Sequence, residues 1–224
     1  MNEAREAILA RIRTALGGTP APVTVPRDYA TSSTVDDVVA LFVDRLHDYG
    51  ATVVQTSPDG VVDAIAAQVR GSVRVAPGLP WTVAGGRPDN GASAAELNLV
   101  DTAVTGCAAA CAATGTIVLD GSPDQGRRAL TLIPDRHVCI VHTGQIVSIV
   151  PELVARLDPR RPLTYISGPS ATSDIELTRV QGVHGPRQLV VIVVTSPAPG
   201  AAQRSLRSEE RTLGAGTERL ARHG

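Results

Sequence analysis

The chain has 224 residues and a formal net charge of -1, and its 21 basic side chains are all arginine. Without lysine there is no Schiff-base amine, no internal pyridoxal anchor and no phosphate-loop lysine. The near-neutral balance and only five aromatic residues (Phe42, Trp81, Tyr29, Tyr49 and Tyr165) give no reason to expect nucleic acid or an anionic membrane as partner.

A hydrophobic fraction of 43% is enough for a core, built mainly from Val, Ile, Leu and Ala. Cys107, Cys111 and Cys139 do not make a secreted disulfide framework in a chain of this length. Cys107 and Cys111 stand four apart and would share one face of a helix. With only Cys139 and His142 as further ligands, they read as small buried apolar residues, and no metal or other cofactor is expected. The acidic, amphipathic N-terminus lacks a signal-peptide core, and no apolar run approaches the roughly 20 residues of a spanning helix. A soluble, cytoplasmic protein without membrane insertion is expected.

In chain order, the first 16 residues read as a helix with Ala4, Ile8, Ile12 and Ala15 on one face and Gly17-Gly18 at its end. Residues 18–33, rich in Pro, Thr and Ser, read as a linker, so residues 1–33 form an N-terminal helix and linker. That helix either folds back on its own domain or packs on a partner subunit, and a homo-oligomer is one such arrangement. From residue 34 helix and strand alternate. Ser33 or Thr34 can cap a helix running to about Asp48, and residues 51–56 form a β-branched strand. A helix over 58–70, a strand over 72–76, a Gly/Pro-rich stretch over 77–91 and a strand over 98–105 follow. Residues 106–113 read as a short Ala/Cys helix, and 116–119, 129–133 and 138–142 are three short apolar runs.

Residues 146–157 read as a helix, 163–167 as a strand, 170–180 as a helix and 188–195 as the most hydrophobic strand of the chain. Continuous apolar strands of this kind are buried on both faces. The expectation is therefore one α/β domain over 34–195, an open, largely parallel sheet flanked by helices. Residues 196–224 form a charged C-terminal tail, read as mobile.

Two segments carry more Gly, Thr, Ser and Pro than packing requires. In the first, Thr114-Gly115-Thr116 sits where a helix is expected to pass into a strand, exposing two hydroxyls and backbone N–H groups suited to a carboxylate or phosphate. Arg127 and Arg128 follow, and either can hold an anion bidentately. A tight turn whose threonines satisfy their own backbone is the competing reading. The second segment runs from Ser167 through Gly168, Pro169, Ser170, Thr172, Asp174 and Glu176 to the His184 loop. Gly168, Ser170 and Thr172, with first-turn amides of the helix that Ser170 is expected to cap, would form an anion cradle at the end of a strand. Asp174 and Glu176 would act as base or orient a ligand hydroxyl, or merely complement the helix dipole. His184, between two glycines and ahead of Pro186, is the best general acid/base candidate by titration range. His47, His137, His142 and His223 are weaker candidates. No zinc-protease, serine-hydrolase or dinucleotide signature appears.

At these two segments the chain resembles a known family. Ala-Thr-Gly-Thr-Ile-Val-Leu (113–119), Arg-Ala-Leu-Thr-Leu-Ile-Pro-Asp-Arg-His (128–137), Gly-Pro-Ser-Ala-Thr-Ser-Asp-Ile-Glu (168–176) and Gly-Val-His-Gly-Pro (182–186) are similar to the LUD domain, and more closely to the lactate utilization protein C family. The resemblance implies a fold like that of the ribose-phosphate isomerase, glucosamine-phosphate deaminase and CoA-transferase superfamily. It also implies a component of the bacterial system that oxidises L-lactate to pyruvate, whose iron–sulfur components would be its partners. No catalytic residue carries over, and the acidic residue that the family commonly has before Thr-Gly-Thr is replaced here by Ala113. The expectation is an accessory or regulatory subunit that binds a small organic anion. The alternative is a stand-alone enzyme acting on a CoA thioester or phosphosugar, with Glu176 or Glu96 as nucleophile.

Overall fold

The computed structural model describes residues 2–17, 24–173, 179–181 and 185–195. The tail at 196–224, Asp174, Glu176 and His184 lie outside the described residues. The chain divides into two units, Met1–Ala30 and Thr31–Gly224. In the first, α1 (Asn2–Leu16) follows the expected helix and leaves Ile8, Ile12 and Leu16 exposed.

The second unit opens with α2 (Val38–Asp48), capped by Asp37, whose carboxylate accepts the Ala40 N–H at 2.8 Å. The expected start at Ser33 or Thr34 moves to Asp37 because that side chain reaches a free first-turn amide. Then come β1 (Thr52–Thr56), α3 (Val61–Gln68), β2 (Val73–Val75), β3 (Gly86–Pro88), the single-turn α4 (Ala94–Leu97) and β4 (Thr102–Thr105). β5 (Ala109–Cys111), β6 (Thr116–Leu119), α5 (Arg128–Leu132), β7 (Arg136–His142), β8 (Ile146–Val147) and α6 (Val150–Arg156) follow. The described chain ends with β9 (Thr164–Ile166), β10 (Ala171–Ser173), β11 (Arg179–Gln181) and β12 (Gln188–Val194).

The main sheet has six strands in the order β1-β12-β7-β4-β2-β3, and every neighbouring pair is parallel. This is the open parallel α/β sheet expected from the continuous apolar strands. The inner strand β12 serves two cores by alternation. Leu189, Val191 and Val193 pack with Phe42 and Leu46 of α2, and with Ile117 and Cys139. Val190, Ile192 and Val194 pack with Val61 and Ile65 of α3, and with Val138 and Ile140. A second, mixed sheet runs β8-β5-β6-β9 and contributes Ala110, Ile117 and Ile146 to the α2 side.

Three local expectations are corrected. Residues 106–113 are not a helix: Ala109–Cys111 is β5, paired antiparallel to β6 and parallel to β8. Its small side chains are fully enclosed, and a short apolar run buried on all sides carries no period that separates helix from strand. Cys107 and Cys111 therefore share no helix face, and no group of three or more potential metal ligands forms among the described residues. The helix expected over 146–157 begins as β8, and α6 starts only at Val150, with Pro151 in its first turn. The helix expected over 170–180 is replaced at both ends by an antiparallel ribbon, with Ala171 opposite Gln181 and Ser173 opposite Arg179. Of the three apolar runs, the first is β6, the second lies in α5 and its C-cap Ile133, and the third lies in β7. No helix among the described residues is long and apolar enough to cross a membrane.

Truncating the fully buried Ile192, which touches both sheet neighbours and α3's core, is expected to cost about 2–5 kcal/mol. Chemical denaturation of Ile192→Ala checks this through a lowered midpoint with an unchanged slope.

Candidate functional site

The Thr-Gly-Thr segment is the turn of the β5–β6 hairpin rather than a helix-to-strand junction. Gly115 adopts φ +57°, and a Cβ there would stand 2.9 Å from the Arg45 Cβ and 3.1 Å from its carbonyl carbon. A side chain would meet α2 backbone, so the position needs glycine for space as well as conformation. The two threonine hydroxyls bond each other at 2.8 Å, and Thr116 Oγ1 reaches the Ser167 hydroxyl at 2.8 Å. The first motif is thereby tied to the start of the second, which leaves β9 at Ser167.

At that exit Gly168 adopts φ +92°, and a Cβ there would sit 2.7 Å from the Tyr49 Cβ. Ser170 caps no helix. Its backbone N–H instead donates to the Pro186 carbonyl at 2.8 Å, joining the 168–173 segment to the chain entering β12. These segments, α5 and the starts of β7 and β12 line an open-mouthed pocket of about 160 Å³. Arg128, His137, Tyr165, Ser167, Gly168 and Ser170 are on its wall. The pocket lies at the carboxyl end of β9, as the sequence suggested, but β9 belongs to the mixed sheet. In the parallel sheet the pocket meets the amino ends of the strands, since His137 and Leu189 are the second residues of β7 and β12. Ligand sites at carboxyl ends follow from helix placement around parallel strands, and that reasoning does not extend to an antiparallel one.

The structure brings Arg128, Gly168 and Ser170 together and leaves other candidates elsewhere. Thr114, Gly115 and Thr116 do not line the pocket, although Thr116 touches its wall through Ser167. Thr172 lies in β10, whose side chains are outside the description. Arg127 points its fork at Asp89, with Nε and Nη2 donating to the two carboxylate oxygens at 2.6 and 3.1 Å and Nη2 also donating to the Ala92 carbonyl. The guanidinium holds the Asp89 carboxyl below its ordinary pKa, against the opposing effect of burial. Glu96 is engaged in a capping box, accepting the Ser93 N–H at 2.7 Å and the Ser93 hydroxyl at 2.8 Å. Asp120 pairs with Arg161 at 2.8 Å. Burial, together with Arg70, lowers the pKa of Arg136.

His137 is the wall residue that the sequence placed among the weaker histidines. It is 1% exposed, and its Nε2 lies 2.8 Å from the Thr105 hydroxyl. Burial, reinforced by the Arg128 charge, pushes its pKa down to about 4, so the ring is neutral near pH 7. The available signal was a titratable ring at the start of an otherwise apolar strand, two residues before the equally buried Cys139.

A family model described as LUD domain matches residues 39–194. The curated protein "Lactate utilization protein C" of Deinococcus radiodurans is 44% identical over 209 residues, which covers 86% of this chain and 96% of that protein. "Lactate utilization protein C" of Bacillus subtilis (strain 168) is 37% identical over 95 residues, 38% of each chain. The crystal structure of a DUF162 family protein from Deinococcus radiodurans is similar with a TM-score of 0.61 at 43% identity, over 70% of this chain and 96% of that one.

Two pH effects follow. The folded pKa of Asp89 lies below its unfolded value, so the contribution of its pair is full above about pH 4 and is lost as pH falls through the folded value. Asp89→Asn is expected to lower Tm at neutral pH and to flatten the acid-side fall in a thermal melt series. For His137 the folded pKa is near 4 against an ordinary 6.5, so the unfolded chain binds the extra proton between those values. Stability is therefore lost as pH drops from about 6.5 to about 4 and levels off below, and His137→Gln should make that stretch of the Tm curve shallower.

Proposed function

The chain belongs to the LUD-domain family, within its lactate utilization protein C group, and on that premise we propose that it is a component of a bacterial lactate utilization system that binds a small organic anion. The observation that carries the reading is the convergence of Arg128, Gly168 and Ser170, from two segments forty residues apart in the sequence, on one pocket. Arg128 supplies a permanent positive charge with no acidic partner among the described residues, and a guanidinium matches a carboxylate fork to fork. Ser167, whose hydroxyl also meets Thr116, and Ser170 line the same pocket and would supply polar contacts to the remaining oxygens of such a ligand.

The role fits an accessory or regulatory subunit better than a self-sufficient catalyst. On the described wall the one titratable imidazole is already neutral and deeply buried, and arginine cannot serve as a base. Asp174, Glu176 and His184 remain the candidates for any proton transfer, and Thr172 for a further ligand contact. Partnership with the iron–sulfur components of a lactate-oxidising complex, inside the cytoplasm, completes the proposal. An enzyme of the CoA-transferase type would need a free glutamate; of its two candidates, Glu96 is committed to its own helix cap and Glu176 lies outside the described residues.

The test is isothermal titration of the full chain with L-lactate and other short carboxylates, beside CoA esters and sugar phosphates. Binding of a small carboxylate is expected, with Arg128→Ala weakening it by roughly ten- to a hundredfold, the worth of a charged hydrogen-bonded contact. Stabilisation by CoA esters alone, or normal growth on lactate after clean deletion of the gene, would overturn the proposal.

A further inference from the structure

The two ends of α5 bring unlike chemistry to one wall of the pocket. Arg128 opens this helix and Leu132 closes it, and both line the cavity. At that spacing two side chains share a helix face, with about 5–6 Å between their Cβ atoms. Thr131 lines the pocket as well, but its hydroxyl donates to the Arg128 carbonyl at 3.2 Å and stays within its own turn. Leu132 belongs to none of the hydrophobic clusters among the described residues. Its Cδ1 instead lies 3.9 Å from the position that a Cβ on Gly185 would take, and the Ser170 Cβ lies 3.5 Å from the same position. Tyr165, also on the wall, joins no cluster either and is 53% exposed. Two large apolar side chains thus face the pocket without a packing duty, and Arg128 is the one cationic side chain on the described wall besides the neutral His137.

We propose that the pocket takes a monocarboxylic acid with an apolar tail, its carboxylate on Arg128 and its tail against Leu132 and Tyr165. This deepens the anion-binding reading above and rests on it. Size sets the length of the tail. An apolar cavity of about 150 Å³ holds benzene, which has six heavy atoms. A pocket of about 160 Å³ therefore holds a four-carbon acid, and its open mouth admits about two carbons more. The spacing agrees, because a carboxylate and the far end of a four-carbon chain are about as far apart as two side chains one helical turn from each other. Charge sets the rest. A second carboxylate in the place of the tail would lose its water against Leu132, Leu189 and the Tyr165 ring, with no second cation to meet it. An apolar tail there releases water from both surfaces and is favoured with every carbon that the wall covers. Leu132 is thus a specificity-determining residue of the site.

Titration calorimetry of the full chain at pH 7 with acetate, butanoate and succinate tests this. Succinate is butanoate with its terminal methyl replaced by a second carboxylate, so the pair isolates the tail. Butanoate is expected to bind about tenfold more tightly than acetate, at roughly fourfold for each added methylene, and about tenfold more tightly than succinate. Leu132→Ala should shrink the advantage of butanoate over acetate to about threefold or less and leave the acetate affinity unchanged. Tyr165→Ala, at an exposed position, should shrink it in the same direction and serves as the test if Leu132→Ala does not fold. Equal affinity for acetate and butanoate, succinate as tight as butanoate, or a full advantage retained in the folded variants overturns the proposal and leaves the anion site standing. Binding of none of the three acids overturns both.

Discussion

The pairing of β12 with β7 is the constraint on which the rest of the molecule depends. The two strands run parallel over seven residues, in register from Gln188 opposite Arg136 to Val194 opposite His142. Each strand feeds one set of side chains to the α2 core and the other to the α3 core. A one-residue slip would exchange those sets, so burial on both faces fixes the register. It also fixes the pocket floor, because Leu189 and His137 are direct partners on the α2 side of the sheet. β4 pairs with the other edge of β7 and places Ala103 opposite His137, which brings Thr105 of the same strand to 2.8 Å from the His137 ring.

The last turns of α2 do comparable work for the two motifs. Gly115 lies against Arg45 and Gly168 against Tyr49, so both motif backbones approach the same helix end. Thr116 and Ser167 then bond each other, and Ser170 is tied to Pro186. The glycines and hydroxyls of these segments thus have structural duties that their composition alone would not separate from ligand contact. Thr114 and Thr116 satisfy each other within a hairpin, whereas Arg128 sits on the pocket wall with its charge uncompensated by any described acid.

How much of this was legible in the sequence depends on length and period. The helix ending at Asp48 and the strand ending at Val194 were readable because their apolar spacing persists over many residues, and the family was readable in its motif order. β5 was not readable, because Ala109, Ala110 and Cys111 are small, enclosed on every side and too few to show a period. Ser170 looked like a helix cap because Ser followed by acids is a cap signature. Tertiary pairing of Ala171 with Gln181 overrides it. Arg127 and Arg128 are indistinguishable as letters. One is drawn to Asp89, 38 positions earlier in the chain, and only the fold brings that carboxylate within reach.

The absence of lysine acquires its meaning at the pocket. A lysine there could shed its proton and join in chemistry, while a guanidinium keeps its charge at every working pH. That fixed charge acts on its neighbour, because Arg128 adds to the burial that keeps His137 neutral. Arg128 and a His137 ring that is neutral near pH 7 therefore share one wall. Neither side chain gains or loses a proton near neutral pH, so this pair suits the fixed charge of the anion proposed above better than proton transfer.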